Sequence, residues 1–262
     1  MKKAVRDPGE LCELLSLSGD LVPEARRAAE QFGLFVPREY LQRMTVGDPG
    51  DPLLRQVLPL GVELDETPGF TADPLEEDEA TLSPGLLQKY RGRALLVTTG
   101  ACAIHCRYCF RRHFPYSTTP RSTAAWQPAL ERLAADPSIH EVILSGGDPL
   151  TLVDRLLSQL VDELQQIPHL RRLRIHTRLP IVIPQRVNDE LLAWLRGTRL
   201  TPVVVVHANH PREIDAEVAA SLGRLVDAGI PVLNQAVLLA GVNDDADVLA
   251  GLCERLVNLR VM

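Results

Sequence analysis

Three cysteines lie within eight residues of one another, at Cys102, Cys106 and Cys109, in a C-x3-C-x2-C pattern. Three thiolates on one short loop can wrap one corner of a cubane iron–sulfur cluster, with each thiolate on a different iron. The fourth iron then lacks a protein ligand and can chelate a small molecule that carries an amine and a carboxylate. The spacing therefore predicts a [4Fe–4S] cluster with one open iron.

Other chemistry stays open for the same loop. A tetrahedral zinc site needs four protein ligands, and His105 or His113 can supply the fourth. Cys106 and Cys109 alone have the spacing of a redox-active cysteine pair. Three unrelated buried cysteines are the remaining alternative.

The elements that must position this loop alternate along the chain after residue 92. Short apolar segments predict strands over 94–98, 141–144, 173–177, 202–207 and 232–237. Helical patterns are found over 126–135, 151–166, 188–195, 216–228 and 245–258. Asn188 and Asp215 are predicted to cap the starts of two helices, and Gly229 the end of one. This alternation predicts βαβ units and a parallel sheet, with residues 259–262 as the start of a sixth strand.

Polar residues follow the predicted strands where each strand ends. They are Asp148, His176-Thr177-Arg178, His207-Ala208-Asn209-His210 and Asn234-Gln235. Ligands bind at the carboxyl edge of parallel sheets and barrels, so we expect the functional site there.

The first 92 residues differ from the rest. Amphipathic patterns predict short helices over 11–17 and 23–32. Residues 63–79 form an acidic stretch that we expect to be a solvated connector. The sequence thus predicts an accessory helical region at 1–92, with an acidic linker, and a core at 93–262.

Composition excludes several classes of protein. The chain has 262 residues, a net charge of −6 and no apolar run long enough to span a membrane. A mildly acidic chain is not built to coat nucleic acid. Cys12 and Cys253 lie in helical patterns, and we expect both to be small core residues. The lack of a signal peptide and the oxygen-sensitive thiolate ligation predict a cytoplasmic location.

The cysteine loop, with Tyr108 before its last cysteine, resembles that of the radical S-adenosylmethionine (SAM) superfamily. In that superfamily the loop follows the first barrel strand, and a Gly-Gly segment after the second strand contacts the methionyl amino group. Gly146 and Gly147 are similar to that segment. The resemblance implies an α/β fold, a partial (βα)6-type TIM-like barrel with an N-terminal mainly helical extension. It also implies a [4Fe–4S] cluster on the three cysteines and S-adenosylmethionine as cofactor.

Four segments narrow the resemblance to the lysine 2,3-aminomutase family. They are residues 102–113, 177–186, 207–211 and 234–244, and they run in family order. Residues 7–11 and the compact size resemble the branch that modifies bacterial elongation factor P. The resemblance implies an isomerase that shifts an amino group of L-lysine to give β-lysine, with pyridoxal phosphate as a further cofactor. It also implies elongation factor P and its ligase as pathway partners, and a reducing electron donor.

The resemblance assigns roles to single residues. It implies that Arg111 holds the lysine carboxylate and that Arg93 lies near the pyridoxal phosphate. His207 and Gln235 match positions that face S-adenosylmethionine. Asp148 is expected to support its loop through hydrogen bonds.

The sequence departs from the family in one respect. The family's pyridoxal phosphate lysine lies in a Gly-rich segment well after the sixth strand, whereas the only lysines here are Lys2, Lys3 and Lys89. We therefore expect a C-terminally truncated chain that ligates a cluster but does not complete the amino shift. An unfinished barrel exposes a sheet edge, which predicts a homodimer.

Two other functions remain compatible with the sequence. One is a different radical reaction on another amino acid. The other is a non-catalytic iron–sulfur or zinc module that acts with a second chain. A zinc-only preparation favours the module, and cleavage of S-adenosylmethionine favours an enzyme.

Overall fold

A single sheet of seven strands organises the computed structural model, which describes residues 3–116 and 122–262. The strands are β1 (Thr81–Ser83), β2 (Leu86–Leu87), β3 (Arg93–Thr99), β4 (Glu141–Gly146), β5 (Arg172–Thr177), β6 (Thr201–Val206) and β7 (Val232–Asn234). They pair in chain order from β1 to β7. β3 to β7 are parallel and make the predicted five strands of an open, partial barrel, so the expected fold class is confirmed.

Helices cover the outer face of the parallel strands, and further helices form part of the N-terminal region. They are α1 (Pro8–Leu14), α2 (Val22–Gln31), α3 (Arg38–Leu41), α4 (Thr123–Ala134), α5 (Asp154–Gln166), α6 (Leu179–Val182), α7 (Asp189–Gly197), α8 (Ala216–Asp227) and α9 (Ala246–Asn258). The predicted caps are confirmed: Asn188 accepts a hydrogen bond from Leu191 N at 2.8 Å, and Asp215 accepts one from Val218 N at 2.9 Å. Gly229, just after α8, has a φ of +79° that suits glycine.

The two faces of the parallel sheet have different environments. Residues that point towards the helices, such as Leu144, Ile175 and Val206, are fully buried. The opposite, inner face is polar in β5, where Arg174 and His176 alternate with the buried residues. Because the barrel is open, this inner face stays partly accessible and can line a site.

Two expectations about the ends of the sheet are refined by the structure. Residues 259–262 are not a strand, yet Met262 makes two backbone hydrogen bonds to β7, at 2.6 Å with Asn234 N and 3.1 Å with Val232 O. This is the pairing that the expected sixth strand makes. The sequence analysis missed the short antiparallel pair of β1 and β2, because the acidic residues before it hide the strand pattern.

The two remaining cysteines have different environments. Cys12 is buried in α1, as expected. Cys253 is exposed, so the expectation that it is a core residue is wrong. It occupies the solvent side of α9, whose buried residues are Leu252 and Leu256.

The N-terminal region packs against the cysteine loop. His105 N donates to Phe35 O at 3.0 Å, and Arg107 N donates to Gln56 O at 2.9 Å. The Arg107 guanidinium also donates to Phe32 O at 2.7 Å. These contacts make residues 1–92 a support for the loop, and their status as a separate accessory region stays a prediction.

The described helices are all too short or too polar to cross a lipid bilayer.

Candidate functional site

The three cysteines lie on the loop that leaves the carboxyl end of β3. Their thiols are half-buried and make no disulfide. Burial raises the pKa of Cys102 and of Cys109, and charge on the neighbouring thiols raises both further. A positive partner or a metal is therefore needed to hold Cys102 and Cys109 as thiolates.

Gly146 and Gly147 bring the end of β4 against this loop. A Cβ on Gly147 would lie 2.3 Å from Ala101 O, and Gly146 has a φ of +118°. Gly147 N donates to Thr99 O at 2.7 Å, which ties the two segments together. The glycines are thus required by the approach of the chain to its own cysteine loop, and their contact with S-adenosylmethionine stays a prediction.

Asp148 supports the site through hydrogen bonds, as expected. Its buried carboxylate accepts from Thr177 Oγ1 and Arg178 N, each at 2.7 Å, and from the backbone N–H groups of Leu150 and Leu179. Burial raises its pKa, and these donors act in the opposite direction. Asp148 therefore joins the ends of β4 and β5, which the sequence placed at one edge.

Arg178 is a residue of the site to which the sequence analysis gave no role. Its Nη1 donates to Cys106 Sγ at 2.7 Å, and its Nη2 donates to Glu213 Oε2 at 2.8 Å. Its Nε is buried without a partner in residues 3–116 and 122–262. The position of Arg178 directly after a strand, next to His176 and Thr177, was the available signal in the sequence.

Two histidines and a glutamine meet on the inner face of the sheet. His207 Nε2 lies 3.3 Å from His176 Nδ1, and the Gln235 side chain hydrogen-bonds to His176. Burial, with a smaller effect of Arg174, lowers the pKa of His176 to about 4. Burial and His176 lower the pKa of His207 to about 3. Both rings are therefore neutral at pH 7 and can donate or accept hydrogen bonds towards a ligand.

The two histidine pKa values predict how stability depends on pH. An unfolded histidine titrates near pH 6.5, so between that pH and about pH 4 the unfolded state binds more protons than the folded state. The free energy of unfolding should fall as the pH drops through this range, and His207→Gln should reduce the fall. Urea denaturation at pH 7 and pH 4.5 measures both, and equal pH dependence in the two proteins would contradict the prediction.

Arg111 binds a carboxylate of the chain itself. Its Nε and Nη2 donate to the two oxygens of Glu77 at 2.8 and 2.6 Å, and its Nη1 donates to Ser145 Oγ at 3.1 Å. Both Arg111 and Glu77 are buried. Arg111 thus has the geometry for a carboxylate, and its role towards lysine stays a prediction.

The acidic stretch before β1 is only partly the solvated connector that we expected. Most of its carboxylates are exposed, but Glu77 is buried against Arg111, and Glu63 pairs with Arg112 at 2.7 Å and with Arg107. For these two residues the expectation is wrong. Each carboxylate neutralises an arginine of the cysteine loop. The sequence did not reveal these pairs, because Glu77 lies 34 residues before Arg111 and Glu63 lies 49 residues before Arg112.

Some predicted site residues do not lie at the carboxyl edge of the sheet, where the cysteine loop is. Arg93 is the exposed first residue of β3, so it lies at the opposite end of that strand from the cysteine loop. Its role near pyridoxal phosphate stays a prediction. Of the two lysines in the described part, both are exposed, and Lys89 donates to Leu75 O. Residues 3–116 and 122–262 therefore do not fit pyridoxal phosphate.

The alternatives for the cysteine loop differ in the partners they need. His105 Nδ1 lies 2.8 Å from Gly33 O, and its ring stacks on Phe32 with 5.0 Å between centroids. It is thereby held by the N-terminal region. In the part of the chain that the structure describes, no group of three His, Cys, Asp or Glu side chains is arranged around a single metal ion. The donor set fits an iron–sulfur cluster, because one loop carries all three thiols, and Arg178, which follows β5, donates to Cys106 Sγ.

Comparison with known proteins agrees with this geometry. Residues 96–252 match the radical SAM superfamily. L-lysine 2,3-aminomutase of Haemophilus influenzae is 46% identical over 262 residues, covering 100% of this chain and 78% of the relative. The Escherichia coli protein of the same name is 47% identical, covering 98% and 75%. That of Clostridium subterminale is 35% identical, covering 96% and 61%. The chain therefore belongs to the radical SAM superfamily and, within it, to the L-lysine 2,3-aminomutase family.

Proposed function

We propose that this protein is an isomerase of the L-lysine 2,3-aminomutase type, which converts L-lysine to β-lysine by radical chemistry. The observation that carries the proposal is the loop of three cysteines at the carboxyl edge of a partial barrel, beside a buried arginine that donates to Cys106. Family membership supports the same reaction. The bound [4Fe–4S] cluster supplies the electron that cleaves S-adenosylmethionine.

The residues of the chain have three tasks in this proposal. Cys102, Cys106 and Cys109 hold the cluster through their thiolates. His207 and Gln235 present neutral polar groups to S-adenosylmethionine from the inner face of the sheet, where burial keeps His207 unprotonated. Gly146 and Gly147 let the end of β4 lie close to the cysteine loop, so that their backbone would be available to S-adenosylmethionine bound there.

Arg111 is proposed to bind the carboxylate of lysine. Glu77 supports this role, because it shows that the guanidinium holds a carboxylate through two parallel hydrogen bonds. A single guanidinium face cannot hold two carboxylates in this way at the same time. We propose that the lysine carboxylate takes the Nε–Nη2 edge of Arg111 and displaces Glu77 when it binds.

This displacement can be measured through the dissociation constant of L-lysine for the reconstituted protein. Arg111→Lys should raise it by about 10- to 100-fold, the cost of losing hydrogen bonds between charged groups. Glu77→Gln should lower it, because the competing carboxylate is gone while the side-chain shape is kept. An unchanged value in both variants would identify the pair as purely structural.

The proposed function is tested with anaerobically reconstituted protein. After loading with iron and sulfide and reduction with dithionite, the protein should cleave S-adenosylmethionine to 5′-deoxyadenosine. With L-lysine and pyridoxal phosphate added, residues 3–116 and 122–262 supply no lysine placed to hold the pyridoxal phosphate, so cleavage without β-lysine is the expected result for this chain. A preparation that binds zinc and forms no cluster would refute the proposal, and product formation only from another amino acid would favour the second radical reaction.

Finer parts of the proposal concern the biological setting. We propose that β-lysine serves the modification of elongation factor P through its ligase, on the resemblance of the segment around Asp7, and that a cellular reductant supplies the electron. Five unpaired cysteines suit the reducing cytoplasm. The homodimer at the open edge of the sheet stays a prediction.

A further inference from the structure

Arg178 connects the cysteine loop to the buried interior through one side chain. Its Nη1 lies 2.7 Å from Cys106 Sγ, and the side chain is only 7% exposed. We propose that Arg178 is a positioning residue that orients the Cys106 thiolate and raises the reduction potential of the bound cluster. This inference rests on the proposed function, since it concerns the same cluster.

The guanidinium of Arg178 is held from its other side. Its Nη2 donates to Gln56 Oε1 at 2.7 Å, to Glu213 Oε2 at 2.8 Å and to Tyr40 OH at 3.2 Å. Glu213 is fully buried, and its other oxygen accepts from Gln56 Nε2 and from Asn209 N. These contacts leave the guanidinium little freedom to turn away from Cys106.

Glu213 also sets the charge of this arrangement. A buried arginine without a carboxylate partner is costly, and Glu213 removes that cost. The thiolate of Cys106 then receives a charge-assisted hydrogen bond in a partly buried site, where such bonds are stronger than at the fully exposed surface.

The effect on the cluster follows from where the added electron goes. Reduction by one electron from a donor such as dithionite increases the negative charge on the cluster and on its thiolate sulfurs. A hydrogen-bond donor and a positive charge at one sulfur stabilise the reduced form more than the oxidised form. Arg178 therefore raises the midpoint potential and eases the reduction that precedes cleavage of S-adenosylmethionine.

The test is an anaerobic redox titration of the reconstituted full chain, monitored by electron paramagnetic resonance. Arg178→Gln should lower the midpoint potential, and a tenfold change in the ratio of reduced to oxidised cluster corresponds to about 59 mV. Arg178→Lys keeps a positive charge beside Glu213, so it provides a second measurement if the Arg178→Gln protein does not fold. It should shift the potential in the same direction by less, because lysine lacks the planar fork that reaches both partners.

Arg199→Gln is the matched control, because it removes a guanidinium that donates to Gln165 O, Ile167 O and Leu170 O and to no residue of the cysteine loop. Its midpoint potential should equal that of the native protein. Cluster-containing Arg178 variants with a native potential would overturn the inference and leave the proposed function intact. A native protein that forms no cluster would overturn both.

Discussion

Replacing Cys109 with alanine is expected to remove the iron of the reconstituted protein and to abolish cleavage of S-adenosylmethionine. Two thiolates cannot hold the corner of a cubane cluster that three hold. Groups that only hydrogen-bond to a metal ligand already change metal affinity by about 10- to 100-fold, so loss of a ligand should cost more than about 100-fold. Iron and sulfide analysis, with 5′-deoxyadenosine formation, measures both effects.

Cys253→Ala provides the control for this experiment. It removes one thiol of the same chain, but Cys253 is exposed on α9 and lies outside the cysteine loop. Its iron content and activity should match those of the native protein. Full iron in the Cys109→Ala protein, or equal iron loss in the two variants, would show that this loop does not hold the cluster.

Gly147→Ala is expected to destabilise the protein by about 3 kcal/mol, at the upper end of the cost of adding a methyl group to a packed site. The new Cβ would lie 2.3 Å from Ala101 O and 2.8 Å from Gly100 C. These are backbone atoms, so they cannot turn aside as a flexible side chain can. The cysteine loop must move away, which should also lower cluster content. Urea denaturation and iron analysis measure the two effects.

Gly223→Ala is the matched control for the glycine substitution. Gly223 lies within α8, and a Cβ there would meet no atom within 4 Å. Alanine restricts the unfolded chain and favours the helix, so this variant should gain about 0.5–1 kcal/mol. An equal change in the stability of both variants would contradict the prediction. It would show that glycine at position 147 is not required by the close approach to the cysteine loop.

Several features of the fold and site could be predicted because they depend on local patterns. The alternation of apolar strands and helical patterns gave five parallel strands, and capping chemistry gave Asn188 and Asp215. The cysteine spacing lies within one loop, so no knowledge of the fold was needed to find it. The polar residues after each strand met at one edge, because parallel strands end on the same side.

The contacts that hold the site depend on tertiary structure. Arg111 meets Glu77 from 34 residues away, and Arg178 meets Gln56 from 122 residues away. Such pairs are set by how the N-terminal region folds over the loop. In the sequence, any carboxylate of the acidic stretch could equally have been the partner of Arg111. The type of chemistry was therefore encoded in local spacing. Only folding decided that Arg178 orients Cys106 and that Glu77 pairs with Arg111. The physical reason is that a charge buried on folding requires a specific partner.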